Sequence, residues 1–260
     1  MAAFAGAANQ ALTQGANLFK DLQGSCLRRH AAVARVTPAF LPESSPAVSN
    51  ACANFAPQGA ALLADANVLA AYFQAMQELA AFDNSSVSTP AEAAGANGAT
   101  AADLNASQID SISKLSGLVT RAFTGNYRRN HLLEYLRDAD PHVTALTTGL
   151  ENVIGKDYQG LLTEERRNLN IEYQRVFDSG NKALTLLLNR AYRGDIDELN
   201  RRQSAAVAYV QALQQIRQAH RKLADSARRL ETKQVSVELE PYTQKLQDLL
   251  WPMKQIARDN

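Results

Sequence analysis

The sequence predicts an all-α protein, an elongated antiparallel bundle of about six helices, several of them long. No proline occurs between Pro141 and Pro241, and apolar residues recur through that stretch at helical spacing. Aromatic residues make up only 7% of the 260-residue chain, whereas alanine supplies much of its 46% apolar fraction, a composition that suits close helix packing better than a sheet. No segment alternates with the period of two that a half-buried strand requires.

The first two helices are predicted at residues 9–35 and 55–82, where the apolar positions lie on core-directed faces. A connection containing Pro38, Pro42 and Pro46 separates them. Cys26 lies late in the first helix, and Cys52 lies just before the second. Two antiparallel helices would bring these cysteines to the same end of the bundle, so a disulfide between them is predicted, and with it an oxidising compartment. The alternative is two unrelated buried thiols.

The third and fourth helices are predicted on either side of Asp140-Pro141. Asn, Ser, Gly and Ala dominate residues 83–104, which predicts a flexible loop within a single elongated domain spanning residues 1–260; two stacked domains remain an alternative. Helix three is expected to begin at Asn105 and to continue through Leu136. Asp140-Pro141 has the pattern of an N-cap followed by proline at the first helical position, which predicts the start of a helix that ends at Ser179-Gly180.

The fifth helix is expected to be the longest, from Lys182 to as far as Arg229, with an interruption at Arg193-Gly194-Asp195 as an alternative. Its second half carries an apolar seam at alternating spacings of three and four, typical of coiled-coil-like packing, at Leu213, Ile216, His220, Leu223, Ala227 and Leu230. A sixth helix is expected after Ser236, with a kink at Pro252.

Net charge and hydropathy exclude several classes of partner. The formal net charge is +1, from 27 basic and 26 acidic residues, so no nucleic-acid partner is expected. No apolar run approaches the length of a membrane span, and the first residues lack the pattern of a signal peptide. The small residues after Met1 resemble the start of a mature chain, which agrees with removal of a secretion or lipoprotein signal.

Candidate site residues are few. His220 lies on the apolar seam, where it is either a core imidazole satisfied by a neighbour or a ligand-binding or pH-sensing group. His131 and Glu134 have the spacing of two metal ligands, but no second Glu-x-x-His copy accompanies them, so no metal site is predicted. The arginine pairs, such as Arg166-Arg167 with Glu164 and Glu165 beside them, are interpreted as solvated faces with local ion pairs.

A ligand or partner surface is assigned to seven residues as a hypothesis. Inward-facing tyrosine and arginine side chains could line a pocket between helices, and a basic cluster occurs on the fifth helix; the residues are Tyr127, Arg128, Tyr158, Tyr173, Arg217, His220 and Arg221.

The sequence contains no catalytic motif, which favours a protein that is not an enzyme and needs no cofactor. The leading interpretation is a non-catalytic helical-bundle protein of a bacterial envelope. It would be exported, with a lipid anchor as one option, and would bind another envelope protein along its long faces. A periplasmic small-molecule sensor is the first alternative. A membrane-associating or pore-forming protein is the second, and it depends on the Ala- and Gly-rich segments near Phe4 and Gly95.

Overall fold

The computed structural model describes residues 1–36, 50–80, 106–124, 132–178, 182–226 and 232–256. These residues contain no β-strand, and the all-α prediction is confirmed. The α-helices are α1 (Ala2–Gln14), α2 (Ala16–Val36), α3 (Phe55–Ala80), α4 (Ala106–Thr124), α5 (Leu132–Asn152), α6 (Gln159–Asp178), α7 (Lys182–Ser226) and α8 (Thr232–Ile256), with a π-helical segment (Val153–Tyr158) that joins α5 to α6. Taken with their short junctions, they form six rods within the described chain. The loop predicted at 83–104 lies outside the described residues.

The first rod begins at Ala2, so the predicted start at Asn9 was wrong. Its first turns are buried because small alanine side chains and Phe4 pack closely against α3 and α8. Gly15 joins α1 to α2 without a sharp bend. A Cβ atom at Gly15 would lie 2.3 Å from the ring of Tyr209. The junction can therefore pack this closely against α7 only because residue 15 is glycine.

Two other predicted helix boundaries were also wrong. Asp140 does not cap a helix, since α5 runs through Pro141 from Leu132. Whether the third helix continues to Leu136, as predicted, depends on residues 125–131, which lie outside the described residues. Local sequence cannot distinguish a proline at a helix start from one that packing tolerates inside a helix. The last helix begins at Thr232, before Ser236, and Gly194 does not interrupt α7.

The core extends along most of the bundle. Helix α7 packs against α5, α6 and α8, while α2 packs against α3 and α6. The predicted seam residues of α7 are buried at Leu213, Ile216, His220 and Leu223; Ala227 and Leu230 lie outside the described residues. One continuous cluster of buried side chains includes residues from all eight α-helices.

Cys26 and Cys52 form a disulfide, as the sequence predicts, with their Cα atoms 5.8 Å apart. The bond joins α2 to the residues that precede α3. Both cysteines are fully buried. It therefore fixes the two ends of the connection that contains the three prolines.

We expect both cysteines to resist thiol labelling in the folded, oxidised protein and to react after reduction and unfolding. Replacing both with serine should lower the free energy of unfolding by about 3 kcal/mol, because the bond closes a loop between residues separated by 26 positions. Mass spectrometry after alkylation and urea denaturation provide the two measurements. Rapid labelling of the oxidised protein would contradict the expectation.

Gly59→Ala should destabilise the protein, because an added Cβ atom would lie 2.5 Å from the backbone oxygen of Phe19 in α2. Helices α2 and α3 would have to separate, at a cost of about 1–3 kcal/mol. Gly160→Ala is the matched control, since apart from its own helix no heavy atom lies within 4 Å of the added Cβ there. Helix propensity should stabilise that variant by up to about 1 kcal/mol. Thermal unfolding of both variants measures the difference; equal effects would contradict the close crossing.

Candidate interaction surface

A buried ionic cluster connects α2, α6 and α7. Glu165 is 2% exposed and accepts from both terminal nitrogens of Arg202, at 2.9 and 2.8 Å. It also accepts from Ser25, at 2.9 Å, and from Nε of Arg28, at 2.9 Å. Asp21 accepts from Arg28 at 2.6 Å and from the hydroxyl of Tyr158 at 2.6 Å. The interpretation of Glu165 as part of a solvated face was therefore wrong.

The cluster holds the carboxylate of Glu165 in the charged form. Burial by itself would raise the pKa of Glu165, but the hydrogen bonds and charge of Arg202, followed by those of Arg28 and Ser25, lower that pKa below its ordinary value. Burial, together with the charge of Asp21, raises the pKa of the Tyr158 hydroxyl far above its ordinary value. Arg202 is only 5% exposed, and its two terminal nitrogens already bind Glu165. Such a cluster fastens three helices together.

A second buried cluster surrounds His220 on α7. Its Nδ1 lies 2.9 Å from Asp140 of α5, and its Nε2 lies 2.8 Å from the hydroxyl of Tyr72 on α3. A carboxylate only accepts hydrogen bonds, so Nδ1 donates to Asp140, and in the neutral ring Nε2 accepts from Tyr72. The carboxylate–imidazole–hydroxyl order matches that of a hydrolase triad. Tyr72 and His220 are both buried, however, and the three side chains satisfy one another's hydrogen bonds within the core.

Asp140 should make the free energy of unfolding depend on pH in the acidic range. Burial would raise its pKa, but the hydrogen bond from His220 and the charge of Arg221 lower it below its ordinary value of 3.8. A lowered folded pKa gives a stabilising contribution that is present above pH 3.8 and is lost as the pH falls through the folded value. We expect Asp140→Asn to reduce the slope of unfolding free energy against pH below about 3.8, measured by urea titrations at stepped pH.

The control for this titration is Asp138→Asn, which removes an exposed carboxyl from the same helix. It should leave the slope in that range close to that of the unsubstituted protein. An identical slope for all three proteins would mean that the contact between Asp140 and His220 does not stabilise the charged carboxylate.

The seven residues assigned to a ligand or partner surface do not share one pocket. Tyr158 belongs to the ionic cluster, whereas Tyr173 donates to Asp195 at 2.7 Å. These tyrosines are 15 positions apart on one continuous rod, about 22 Å along its axis. Arg217 pairs with Glu151 at 2.8 Å. His220 and Arg221 both contact Asp140, and Tyr127 and Arg128 lie outside the described residues.

One group of potential metal ligands occurs in the described part of the chain. Cys26, His30 and Cys52 place one ligand atom each within 4.8 Å of one another. The two sulfur atoms are joined in the disulfide, and Nε2 of His30 lies 3.1 Å from the guanidinium of Arg29. A disulfide sulfur is not the thiolate that metal binding needs, so this group carries no metal prediction. Of the pair His131 and Glu134, His131 lies outside the described residues, and Glu134 is exposed.

The end of α6 and the start of α7 form a helical hairpin that extends beyond the core. We call residues 166–178 and 185–198 the hairpin; none of the side chains described in it is buried, whereas Glu165 and Leu199 at its base are. Polar contacts hold its two helices together. Tyr192 donates to Asn170 at 2.9 Å, in addition to the bond between Tyr173 and Asp195.

The outward side of the hairpin exposes two adjacent large apolar residues. Leu186 and Leu187 are 78% and 69% exposed, beside the exposed Arg190. Consecutive helical residues point about 100° apart, so a run of three leucines at 186–188 cannot all face one neighbouring helix. That run was the sequence signal for this surface, although no functional role was predicted for it. Exposed apolar side chains on a projecting element are typical of a surface that binds another molecule.

The chain matches no protein-family profile, no curated protein and no solved structure. Among the described helices, none has both the length and the apolar character that crossing a bilayer requires.

Proposed function

We propose that this protein is a non-catalytic helical-bundle module of a bacterial envelope that binds another macromolecule through the hairpin. The exposure of Leu186 and Leu187 on an element without buried side chains is the observation that supports the proposal most directly. The bundle supports this role as a rigid base, because the ionic cluster lies where the hairpin leaves the core. The envelope location is supported by the disulfide, which persists in an oxidising compartment.

The proposal that the protein is not an enzyme is supported by the state of its two polar clusters. Arg202, Glu165 and His220 are buried, and each already has partners in the protein. A catalytic group needs access to a substrate. Tyr72 and His220 are 5% and 0% exposed, so neither has that access.

The two alternatives have less support. A small-molecule sensor of the kind considered would need a buried arginine that is free to bind the ligand. The buried guanidinium of Arg202 is instead hydrogen-bonded to the carboxylate of Glu165. The membrane-associating alternative depended partly on the segment near Phe4. Phe4 is fully buried, with its ring against Phe73, so that part of the segment belongs to the core of the bundle. Gly95 lies outside the described residues.

Photo-crosslinking in living cells tests the proposal. A photoreactive phenylalanine derivative is placed at Leu187 in one strain and at Glu240, an exposed residue of α8, in the matched control. We expect irradiation to yield discrete protein adducts from position 187 and none, or different ones, from position 240. Adducts that are lost on Leu186→Ser would further assign the contact to the apolar side of the hairpin.

No adduct from position 187 above the level of the control would contradict a role for the hairpin in protein binding. Fractionation of the same cells tests the envelope location, since the protein should appear with periplasmic or membrane fractions. Recovery with the cytosolic fraction alone would contradict that part of the proposal.

A further inference from the structure

We infer that the outward face of α7 in the hairpin pairs with the same face of a second copy of this chain, in an antiparallel arrangement. This inference rests on the proposed function, because it assigns the partner of the surface already described. It depends on three features of one helix face: the exposed Leu186 with Leu187 at the edge of the face, two exposed opposite charges and an unobstructed glycine.

The face is narrow and well defined. At 100° per residue, Leu186, Arg190, Arg193, Gly194 and Asp197 point within an arc of about 100°. The residues on the other side of α7 contact the protein itself, as the bond from Tyr173 to Asp195 and the burial of Leu199 show. All five residues of the outward face are exposed.

Two of the charges on this face, those of Arg190 and Asp197, complement each other only in an antiparallel pair. Arg190 and Asp197 lie at equal distances on either side of the point between residues 193 and 194. When two copies cross there with opposite directions, Arg190 of each copy meets Asp197 of the other, so twofold symmetry forms both ion pairs at once. A parallel pairing would place like charges together. Within the described chain, neither side chain takes part in a salt bridge.

Gly194 lies next to the crossing point and permits the two helices to approach. Apart from the adjacent residues and backbone of α7 itself, no heavy atom lies within 4 Å of the position that a Cβ would take there. Glycine in an exposed helix interior costs about 1 kcal/mol relative to alanine, so its presence inside α7 is explained by a helix that packs directly against it. Leu186 and Leu187 then lie about two turns from the crossing, where the second copy covers them.

Two charge variants test the inference. Arg190→Asp makes the pairing positions wholly acidic, and Asp197→Arg makes them wholly basic. We expect the unsubstituted protein to sediment as a dimer and each variant to sediment as a monomer, with a dissociation constant raised at least about tenfold by like-charge repulsion. An equimolar mixture of the two variants should restore a dimer, because each acidic position then meets a basic one in both symmetric contacts.

The matched control carries the same kinds of charge change on exposed residues of α8, as Lys245→Asp and Asp248→Arg. Each control variant should remain dimeric alone, and native mass spectrometry of the mixtures should show a one-to-one heterodimer enriched only for the α7 pair. Circular dichroism confirms folding, which these exposed substitutions should leave intact.

An unsubstituted protein that stays monomeric at every concentration would overturn the inference, as would a dimer that none of the α7 variants weakens. Flotation of the monomer with vesicles of anionic phospholipid would assign the face to lipid instead. Crosslinks from position 187 to a different protein, without self-association, would remove this inference and leave the proposed function standing. If neither crosslinks from position 187 nor self-association were observed, both this inference and the proposed function would be contradicted.

Discussion

Arg202→Met is expected to lower the free energy of unfolding by about 3–5 kcal/mol, the cost of removing one partner from a buried ion pair. The substitution removes both of the hydrogen bonds that Arg202 donates to Glu165, a carboxylate that is almost wholly buried. Ser25 and Arg28 still donate to Glu165, which places the expected loss nearer the lower end of the range. Guanidinium denaturation measures the change.

Arg217→Met is the control, since this arginine pairs with Glu151 where both side chains are more than one-fifth exposed. A pair of that kind contributes about 0–1 kcal/mol. The double variant Arg202→Met, Glu165→Leu should recover part of the loss, because it no longer buries an unmatched charge. If Arg202→Met and Arg217→Met lowered the free energy of unfolding equally, the ionic cluster would not be what holds α2, α6 and α7 together.

Leu223→Ala is expected to destabilise the bundle by about 2–5 kcal/mol, because it leaves a cavity in the seam of α7. Leu223 is buried in the same cluster as Leu213 and Ile216. Gln218→Ala, on the exposed side of that helix, should change the free energy of unfolding by less than about 0.5 kcal/mol. Urea denaturation of both variants provides the comparison.

Gln214 is unsuitable as a control because it donates to Glu151 at 2.6 Å and is half-buried. Its replacement would remove a contact between α5 and α7 rather than report on an exposed surface. Equal, small losses for Leu223→Ala and Gln218→Ala would mean that the α7 seam is not part of the core.

The seam of α7 was predictable because a spacing of three and four residues reports which side of a helix is buried. His220 shows the limit of that reasoning. Its place on the seam follows from the spacing, but its partners lie 148 and 80 positions away in Tyr72 and Asp140. Contacts of that separation depend on how helices pack against one another, which periodicity within one helix does not encode.

Charged residues were predicted least well. Glu165 is followed directly by two arginines in the sequence, a pattern that a solvated helix face also shows. Its actual partners are Arg28 and Arg202, on two other helices. The start of α1 was missed for a related reason, since a run of alanines has weak amphipathic character although small side chains permit the closest helix packing.

Helix α7 runs unbroken for 45 residues, about 67 Å, through both the hairpin and the seam. Arg190 and His220 therefore lie on one continuous helix, about 45 Å apart along its axis. Under the proposed function, a molecule bound at the hairpin would lie at a fixed distance and in a fixed direction from the opposite end of the bundle. The number of residues in this one helix would then determine that distance.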